Sequence, residues 1–329
     1  MSTFQIASPF SVPDLLGDPG TLEAGGQRRA AVSREMAVII ATRGRPEIAR
    51  SLVEQLRDQT RPPKHVIVVG SSAEDVEGIR SVDPKGVRLS TVVGRKGLTL
   101  QRNDGLRIAG SDCSYVCFFD DDFVPSRFWL ERARDIFESR ADVAGLTGVV
   151  LADGTGNAGI PLDTAKQLVS RRDADSAPKG SIRDRFAHGS NVGCNMAYRW
   201  SSIQGIAFDE RLPLYAWLED SDFRGQVERR GAFVSADDLW GVHLGHKHGR
   251  VSGVRLGYSQ IANGVYLARK GTVSALYLYR VALRNVLANA LRSIKPERFV
   301  DRRGRLLGNL IALMDFVMRR LSPERILDL

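Results

Sequence analysis

This 329-residue sequence predicts an α/β fold: a mostly parallel, Rossmann-like sheet flanked by helices, followed by a C-terminal α-helical extension. Three observations carry that prediction. Short, wholly apolar runs recur between Met36 and Ala152, as in strands covered on both faces. Segments with apolar residues three or four apart separate these runs, the alternation expected of βαβ units. From about residue 252 the helical period takes over.

The elements follow in order. Residues 1–34 are rich in Gly, Pro and Ser without periodicity and read as a flexible extension. MAVIIAT, from Met36, is the first buried strand, and Pro46 opens a helix whose apolar positions are Ile48, Leu52 and Leu56. HVIVVG (65–70) and VRLSTVV (87–93) are the next strands. A helix through LTLQRNDGLRIAG leads to SYVCFF (114–119), which runs directly into Asp120-Asp121-Asp122. A helix over roughly 126–138 and the strand VAGLTGVVLA (143–152) follow. The polar, Gly/Asp/Arg-rich stretch 153–185 reads as a long loop or insertion. NVGCNMAYRW (191–200) restores structure, a helix starts near Glu219, and AFVSA (232–236) is a further strand. The predicted divisions are 1–34, a catalytic-type domain over 35–250 and a basic amphipathic helical region over 251–329.

Composition narrows the function classes. Lys and Arg number 47 against 38 Asp and Glu, a net charge of +9. Residues 271–329 hold eleven of the basic residues and five acids, so the tail alone carries +6 and the first 270 residues are nearly balanced. That distribution argues against a general nucleic-acid binder, which would also interleave aromatic and basic residues. Three cysteines (113, 117, 194) without a C-x-x-C pair exclude a disulfide framework and a closed structural zinc site. The N-terminus lacks the pattern of a signal peptide and no apolar run reaches about 18 residues, so a cytoplasmic protein, at most peripheral on a membrane, is expected.

Two acidic clusters carry the chemistry. In extended backbone Asp120 and Asp122 point to one side and Asp121 to the other. Two hard oxygen ligands on one face suit Mg²⁺ or Mn²⁺; a solvated acidic loop is the plainer alternative. Glu219-Asp220-x-Asp222 stands at a helix start, where acids also serve simply to complement the helix dipole. A carboxylate there, beside a metal-bound phosphate, would be placed to take a proton from an attacking hydroxyl. Three of the five histidines crowd into His243-Leu-Gly-His246-Lys-His248, and one of them completing the Asp-rich site is the reading preferred over a separate metal centre.

The order of these motifs resembles the family 2 glycosyltransferases. VIIATRGRPEIARSLVEQLRDQT is similar to that family's opening strand and helix. GLTLQRNDGLRIAGSDCSYVCFFDDDFVP resembles its Gly-x-x-x-x-Arg-Asn-x-Gly helix leading into a D-x-D strand. NVGCNMAYR followed by FDERLPLYAWLEDSDFRGQVERRG resembles the stretch ending in its Glu-Asp base motif. The resemblance covers roughly 36–250 and implies a GT-A fold and inverting, metal-dependent transfer from a nucleotide-diphospho-sugar to a saccharide or lipid-linked acceptor. It implies Asp220 as base supported by Glu219, with Asp222 a neighbour. It implies Asp122 and Asp120 as ligands of Mn²⁺ or Mg²⁺, with His243 or His246 as an additional contact. Thr42, Arg45, Arg102, Asn103, Asp120, Asp121 and Asn195 would form the donor and nucleotide site. One departure concerns the nucleotide base: Gly70 stands where the family commonly has an acid, with Glu74 or Asp75 as possible substitutes, so UDP-, GDP- and dTDP-sugars all stay open.

A nucleotidyltransferase would use similar carboxylates, but ATRGRPE is a weak phosphate loop. In the tail, Leu276, Tyr279, Leu283, Val286, Leu287 and Ala290 share a helical arc beside Arg280, Arg284, Arg292 and Lys295, and Leu306, Leu310, Met314, Val317 and Leu321 repeat the pattern. Such stripes suit an anionic membrane surface over 275–321, or packing on the body, or a homodimer interface.

Overall fold

The computed structural model describes residues 34–83, 85–175, 182–183, 193–248 and 251–329. The N-terminal extension expected over 1–34 therefore falls, but for its last residue, outside the described residues. In chain order the elements are β1 (Met36–Thr42), α1 (Pro46–Arg57), β2 (His65–Gly70), β3 (Arg88–Val93), α2 (Leu98–Ala109), β4 (Tyr115–Asp120), β5 (Phe123–Pro125) and α3 (Trp129–Ser139). They continue with β6 (Val143–Asp153), α4 (Leu162–Asp175), β7 (Ile182–Arg183), β8 (Asn195–Arg199), α5 (Trp200–Ile203), α6 (Glu219–Val227) and β9 (Ala232–His243). Three helices close the chain: α7 (Gly253–Lys270), α8 (Ala275–Ile294) and α9 (Arg302–Val317).

The strands form one sheet in the order β3-β2-β1-β4-β8-β6-β9-β5, with β7 beside β9. β1 to β4, β6 and β9 run in one direction; β5, β7 and β8 oppose them. Alternation of side chains across the pleat divides the core into two layers. Met36, Val38, Ile40, Val66, Val68, Cys117 and Phe119 face α1 and α3, which contribute Leu52, Leu56, Leu130 and Phe137. Ala37, Ile39, Ile67, Val69, Val116 and Phe118 face the other way, toward Ala109 of α2 and Phe223 and Val227 of α6. Both faces are thus covered, which is why these strands read as continuous apolar runs. The three cysteines are buried and free.

Two expectations change. The stretch 153–185 contains a 14-residue helix, α4, among its described residues. Ala165 and Val169 lie four apart and are buried against Val124, Trp240 and Val242, and Asp173 accepts from Trp240 Nε1 at 2.8 Å and Ser126 Oγ at 2.6 Å. A helix that buries only these two residues leaves a polar sequence signature, which is why its composition resembles that of a loop. The strand expected at 232–236 also continues to His243. Asp237 and Asp238 interrupt its apolar run, yet the pairing with β6 resumes at Trp240 and reaches Asp153↔His243.

The C-terminal helices pack as a bundle. Gly257 of α7 and Gly308 of α9 lie where a Cβ would collide with main-chain atoms of Arg305 and Val254, so these helices cross at backbone distance. Asn289 of α8 donates to Gln260 and Asn309, both at 2.9 Å, in a buried amide network between the three helices. The bundle is tied to the sheet domain by Asp222, which accepts from Lys270 Nζ at 2.8 Å and from the Thr272 hydroxyl. No helix among the described residues is long and apolar enough to cross a membrane.

Candidate active site

Parallel strands β1 and β4 are neighbours with Ala41 opposite Asp120, so their carboxyl ends finish together. That is where open α/β sheets bind ligands. Beyond β4 the chain turns at Asp121-Asp122 and enters β5, whose Phe123 pairs with His243 at the end of β9. This short antiparallel pairing delivers the imidazole to the acids. His243 Nε2 lies 3.2 Å from Asp122 Oδ1 and 3.9 Å from Asp120 Oδ2, and Nδ1 lies 3.1 Å from Asp153 Oδ1. Asp120, Asp122 and His243 each offer a ligand atom, all within 4.8 Å of one another.

Burial pulls the His243 pKa down, but hydrogen bonds to Asp122 and Asp153 and the charges of Asp122 and Asp120 outweigh it and raise it to about 10. Burial would raise Asp122, yet the hydrogen bond and charge of His243, with Arg45, hold its carboxyl well below the usual range. Its Oδ2 also accepts the His246 main-chain N–H at 2.9 Å. A proton on His243 thus does part of what a cation would do between these acids. Two carboxylates and one imidazole fit Mn²⁺ or Mg²⁺, which accept hard oxygen donors and keep positions open for water and phosphate. Asp153, bonded to the other ring nitrogen, would fix the orientation of His243 as a ligand. His246, the fallback ligand of the sequence reading, contributes its backbone, and its imidazole is not part of the ligand group.

Asp121, in the turn after β4, stands outside that ligand group. Its carboxylate accepts from Thr42 Oγ1 at 2.7 Å and is gripped by Arg45 at 2.6 and 3.1 Å; Arg45 also reaches Asp122 at 3.1 Å. Burial pushes the Asp121 carboxyl up to about 7 against the pull of Arg45. Thr42 and Arg45 are therefore joined to the acidic triplet.

Arg102, with 2% of its side chain exposed, connects the two acidic clusters. It donates to Glu219 Oε1 at 2.6 Å, to Asp120 Oδ1 at 3.0 Å and to the Gly193 carbonyl at 2.8 Å. Phe118 and Phe208 flank its guanidinium at 5.8 and 5.3 Å. Asp220, the next residue after Glu219, is half-buried in the first turn of α6. Its Oδ1 accepts from Ser221 N at 2.7 Å, and its Oδ2 faces Gly193, where an added Cβ would lie at 3.3 Å.

Several residues assigned to the donor site by resemblance have their polar groups committed within the protein. Arg102 belongs to the site as the bridge between Asp120 and Glu219. Asn103 is bonded in both directions to Phe208 and donates to Glu210 at 3.0 Å, stapling α2 to that loop. Asn195, fully buried, accepts from Gly148 N at 2.7 Å and links β8 to β6. Asp222 anchors the bundle, as described above. Glu74 is exposed, and Asp75 has both oxygens bonded, to Gly44 N at 2.5 Å and to Ser71 and Ser72, so it braces the loops around Gly70. Sequence reasoning misses Asp153 because it ends that strand one residue too soon; an acid closing an apolar strand, as at Asp120, is the signal that could have found it.

Comparison with known proteins agrees with this architecture. The model of the family "Glycosyl transferase family 2" matches residues 37–205. The uncharacterized glycosyltransferase YwdF of Bacillus subtilis (strain 168) is 24% identical over 161 residues, which are 47% of this chain and 59% of YwdF. The chain thus spans less than two thirds of that curated relative. Residues 1–349 of S. aureus TarS superpose with a TM-score of 0.52 at 16% identity, covering 89% of this chain and 82% of that one. The same residues of TarS in complex with UDP-GlcNAc give 0.53 at 17% identity with the same coverage. The fold is that of the GT-A enzymes, and with the family model matching more than half its length, the chain belongs to the family 2 glycosyltransferases.

Proposed function

We propose that this chain transfers a sugar, with inversion, from a nucleotide-diphospho-sugar to a hydroxyl of a saccharide or lipid-linked acceptor. The observation that carries the reading is the buried Arg102 bridge, which sets Glu219-Asp220 one guanidinium away from the Asp120-Asp122-His243 cluster. A metal-competent site and a carboxylate base are thereby held at fixed separation at the sheet's carboxyl edge. Asp220 Oδ2 accepts the acceptor's hydroxyl proton as that oxygen bonds to the anomeric carbon; the bond from that carbon to the diphosphate breaks and the nucleoside diphosphate leaves. The bond from Ser221 N holds the other oxygen of Asp220, so the base keeps its orientation. Held by Asp120, Asp122 and His243, Mn²⁺ or Mg²⁺ would supply positive charge opposite the leaving diphosphate. Thr42 and Arg45 fix the triplet from the β1 side. The fold likeness to TarS, solved with UDP-GlcNAc, supports a nucleotide-sugar donor, with UDP-, GDP- and dTDP-sugars as the candidates.

Asp220→Asn is expected to abolish transfer and to keep Mn²⁺-dependent donor binding, measured by product release and by thermal shift with the three donor classes. Unchanged turnover would remove Asp220 as the base. Asp122→Asn should weaken donor binding at least tenfold with Mn²⁺ present, and equal affinity with and without metal overturns the metal site.

The same reading divides the chain into a transferase body over 35–250 and a helical accessory region over 251–329 that seats on an anionic bilayer from the cytoplasmic side. Its support is the outer face of α8 and α9, where exposed Leu, Tyr, Met and Phe side chains run beside arginines.

A further inference from the structure

α8 is the longest helix described, and its first two turns do not simply pack. Ser274, Leu276, Tyr277, Arg280, Val281 and Arg284 line an open recess of about 380 Å³. Arg280 and Arg284, one turn apart, share that wall; both are exposed and neither has an acidic partner among the described residues. Four other tail arginines do have acidic partners, Arg292 and Arg302 with Glu297, Arg320 and Arg325 with Asp315. What sets Arg280 and Arg284 apart is their place in one recess, where two adjacent guanidinium groups suit an anion. Ser274, the N-cap residue, makes no capping hydrogen bond with its side chain. The first turn of the helix adds a positive dipole end and N–H groups without intrahelical acceptors.

The position of the recess gives it meaning. Tyr277 and Leu218 pack on one apolar cluster, formed by Leu212, Ala216, Leu267 and Leu278. Leu218 is the residue before Glu219-Asp220, so the start of α8 lies beside the start of α6. Burial and then the charge of Asp220 raise the Tyr277 phenol, and Arg224 and Arg284 act on the same group in the opposite sense. The carboxylate assigned as base and the arginine wall thus both lie within electrostatic reach of one side chain.

We propose that this recess is the acceptor subsite and that it selects acceptors bearing a phosphate group, held by Arg280 and Arg284. The inference rests on the glycosyl-transfer reading and names its substrate class. Arginine forks match phosphate oxygens bidentately, and Leu276, Tyr277 and Val281 accommodate the carbon skeleton next to the phosphate. A neutral hydroxyl compound of the same size leaves both cations unpaired and binds weakly.

Calorimetry on the full chain tests this with three probes: glycerol 3-phosphate, decyl phosphate below its micelle threshold, and glycerol. Each is titrated with and without saturating UDP and Mg²⁺, so a failed donor site shows as absent UDP binding and leaves the phosphate result readable. The expected result is binding of both phosphates and not of glycerol. The double variant Arg280→Gln/Arg284→Gln should lower phosphate affinity at least tenfold and change UDP affinity less than twofold. Arg280→Lys/Arg284→Lys should restore part of the loss, which a merely structural role would not predict. Decyl phosphate binding tenfold tighter than glycerol 3-phosphate identifies a lipid-linked acceptor; equal binding identifies a soluble one. Phosphate affinity unaffected by the Gln pair, or glycerol binding as well as its phosphate, overturns the proposal.

Discussion

Glu219 shares the Arg102 guanidinium with Asp120, while its second oxygen is buried without a hydrogen-bond partner among the described residues. Burial pushes its carboxyl up to about 8 against the pull of Arg102. In the unfolded chain the same group ionises near 4.5. Between those values the folded protein keeps a proton that the unfolded chain has released, so Glu219 costs progressively more stability as pH rises from about 4.5 to about 8, and the penalty is constant above. Glu219→Gln keeps the shape and cannot ionise. Its stability relative to the parent should therefore rise with pH across that window, by at most about 1.4 kcal/mol per pH unit. Urea unfolding at pH 5, 6.5 and 8 measures it, and parallel curves would show that Glu219 is ionised throughout. At this scale the sequence finds the acids but not what orients them. Asp120 and Asp122 share the ligand group and Asp121 does not, yet β4 ends at Asp120 and the turn after it, not strand alternation, sets the directions of the other two. The sequence is not legible at Asn103 and Asn195, because a motif names residues without saying which way they point. Arg102 and Asn103 lie on a helix flank turned toward Phe208 and Glu219, and Asn195 lies on a strand covered on both sides.

Elements are held together by contacts of very different tolerance. Gly308 of α9 sits against the Val254 carbonyl and the Tyr258 amide of α7, and main-chain atoms cannot rotate aside. A methyl there forces the helices apart, whereas helix propensity alone would favour alanine by about 1 kcal/mol. Overpacking wins where neighbours are backbone, so Gly308→Ala should destabilise by about 1–3 kcal/mol. Leu307, adjacent in sequence but exposed, is the control: Leu307→Ala should change stability by less than about 0.5 kcal/mol. Thermal and urea unfolding of both variants decide, and equal stability of Gly308→Ala and parent would contradict the close crossing. Sequence patterning finds α7, α8 and α9 through their apolar period. It does not find what joins them, since Gly257, Gly308, Asn289 and Asn309 are small or polar residues that act as core here. The same limit explains α4 and the far half of β9. Each is completed by partners distant in sequence, and β9 in particular carries His243 into the site only because β6 and β5 hold it on both sides.

Across the whole molecule the +9 charge is concentrated in the tail, and the structure shows what lies beside it. Leu276, Tyr279, Leu283, Leu287, Leu291 and Ile294 follow one another at helical spacing along α8, and all are exposed, Ile294 to 82%. On α9, Leu310, Met314 and Val317 are exposed too, Val317 to 80%. Monomeric proteins seldom leave so long a stripe uncovered. Lys295, Arg298, Arg303 and Arg319 on the same segments are exposed with no acidic partner among the described residues, a positive charge that repels a like copy and attracts an anionic surface. The membrane proposal therefore predicts attachment to anionic vesicles, and a second chain is the competing outcome. Flotation of the protein with vesicles of 30% anionic phospholipid at low salt should carry most of it upward, and neutral vesicles should carry little. Leu287→Glu/Leu310→Glu places charge on the stripe at exposed positions, so folding should be unaffected and flotation lost. Added salt should weaken the attachment without abolishing the apolar contribution. If the protein fails to float and instead sediments as a dimer that the same two substitutions dissociate, the stripe joins two copies.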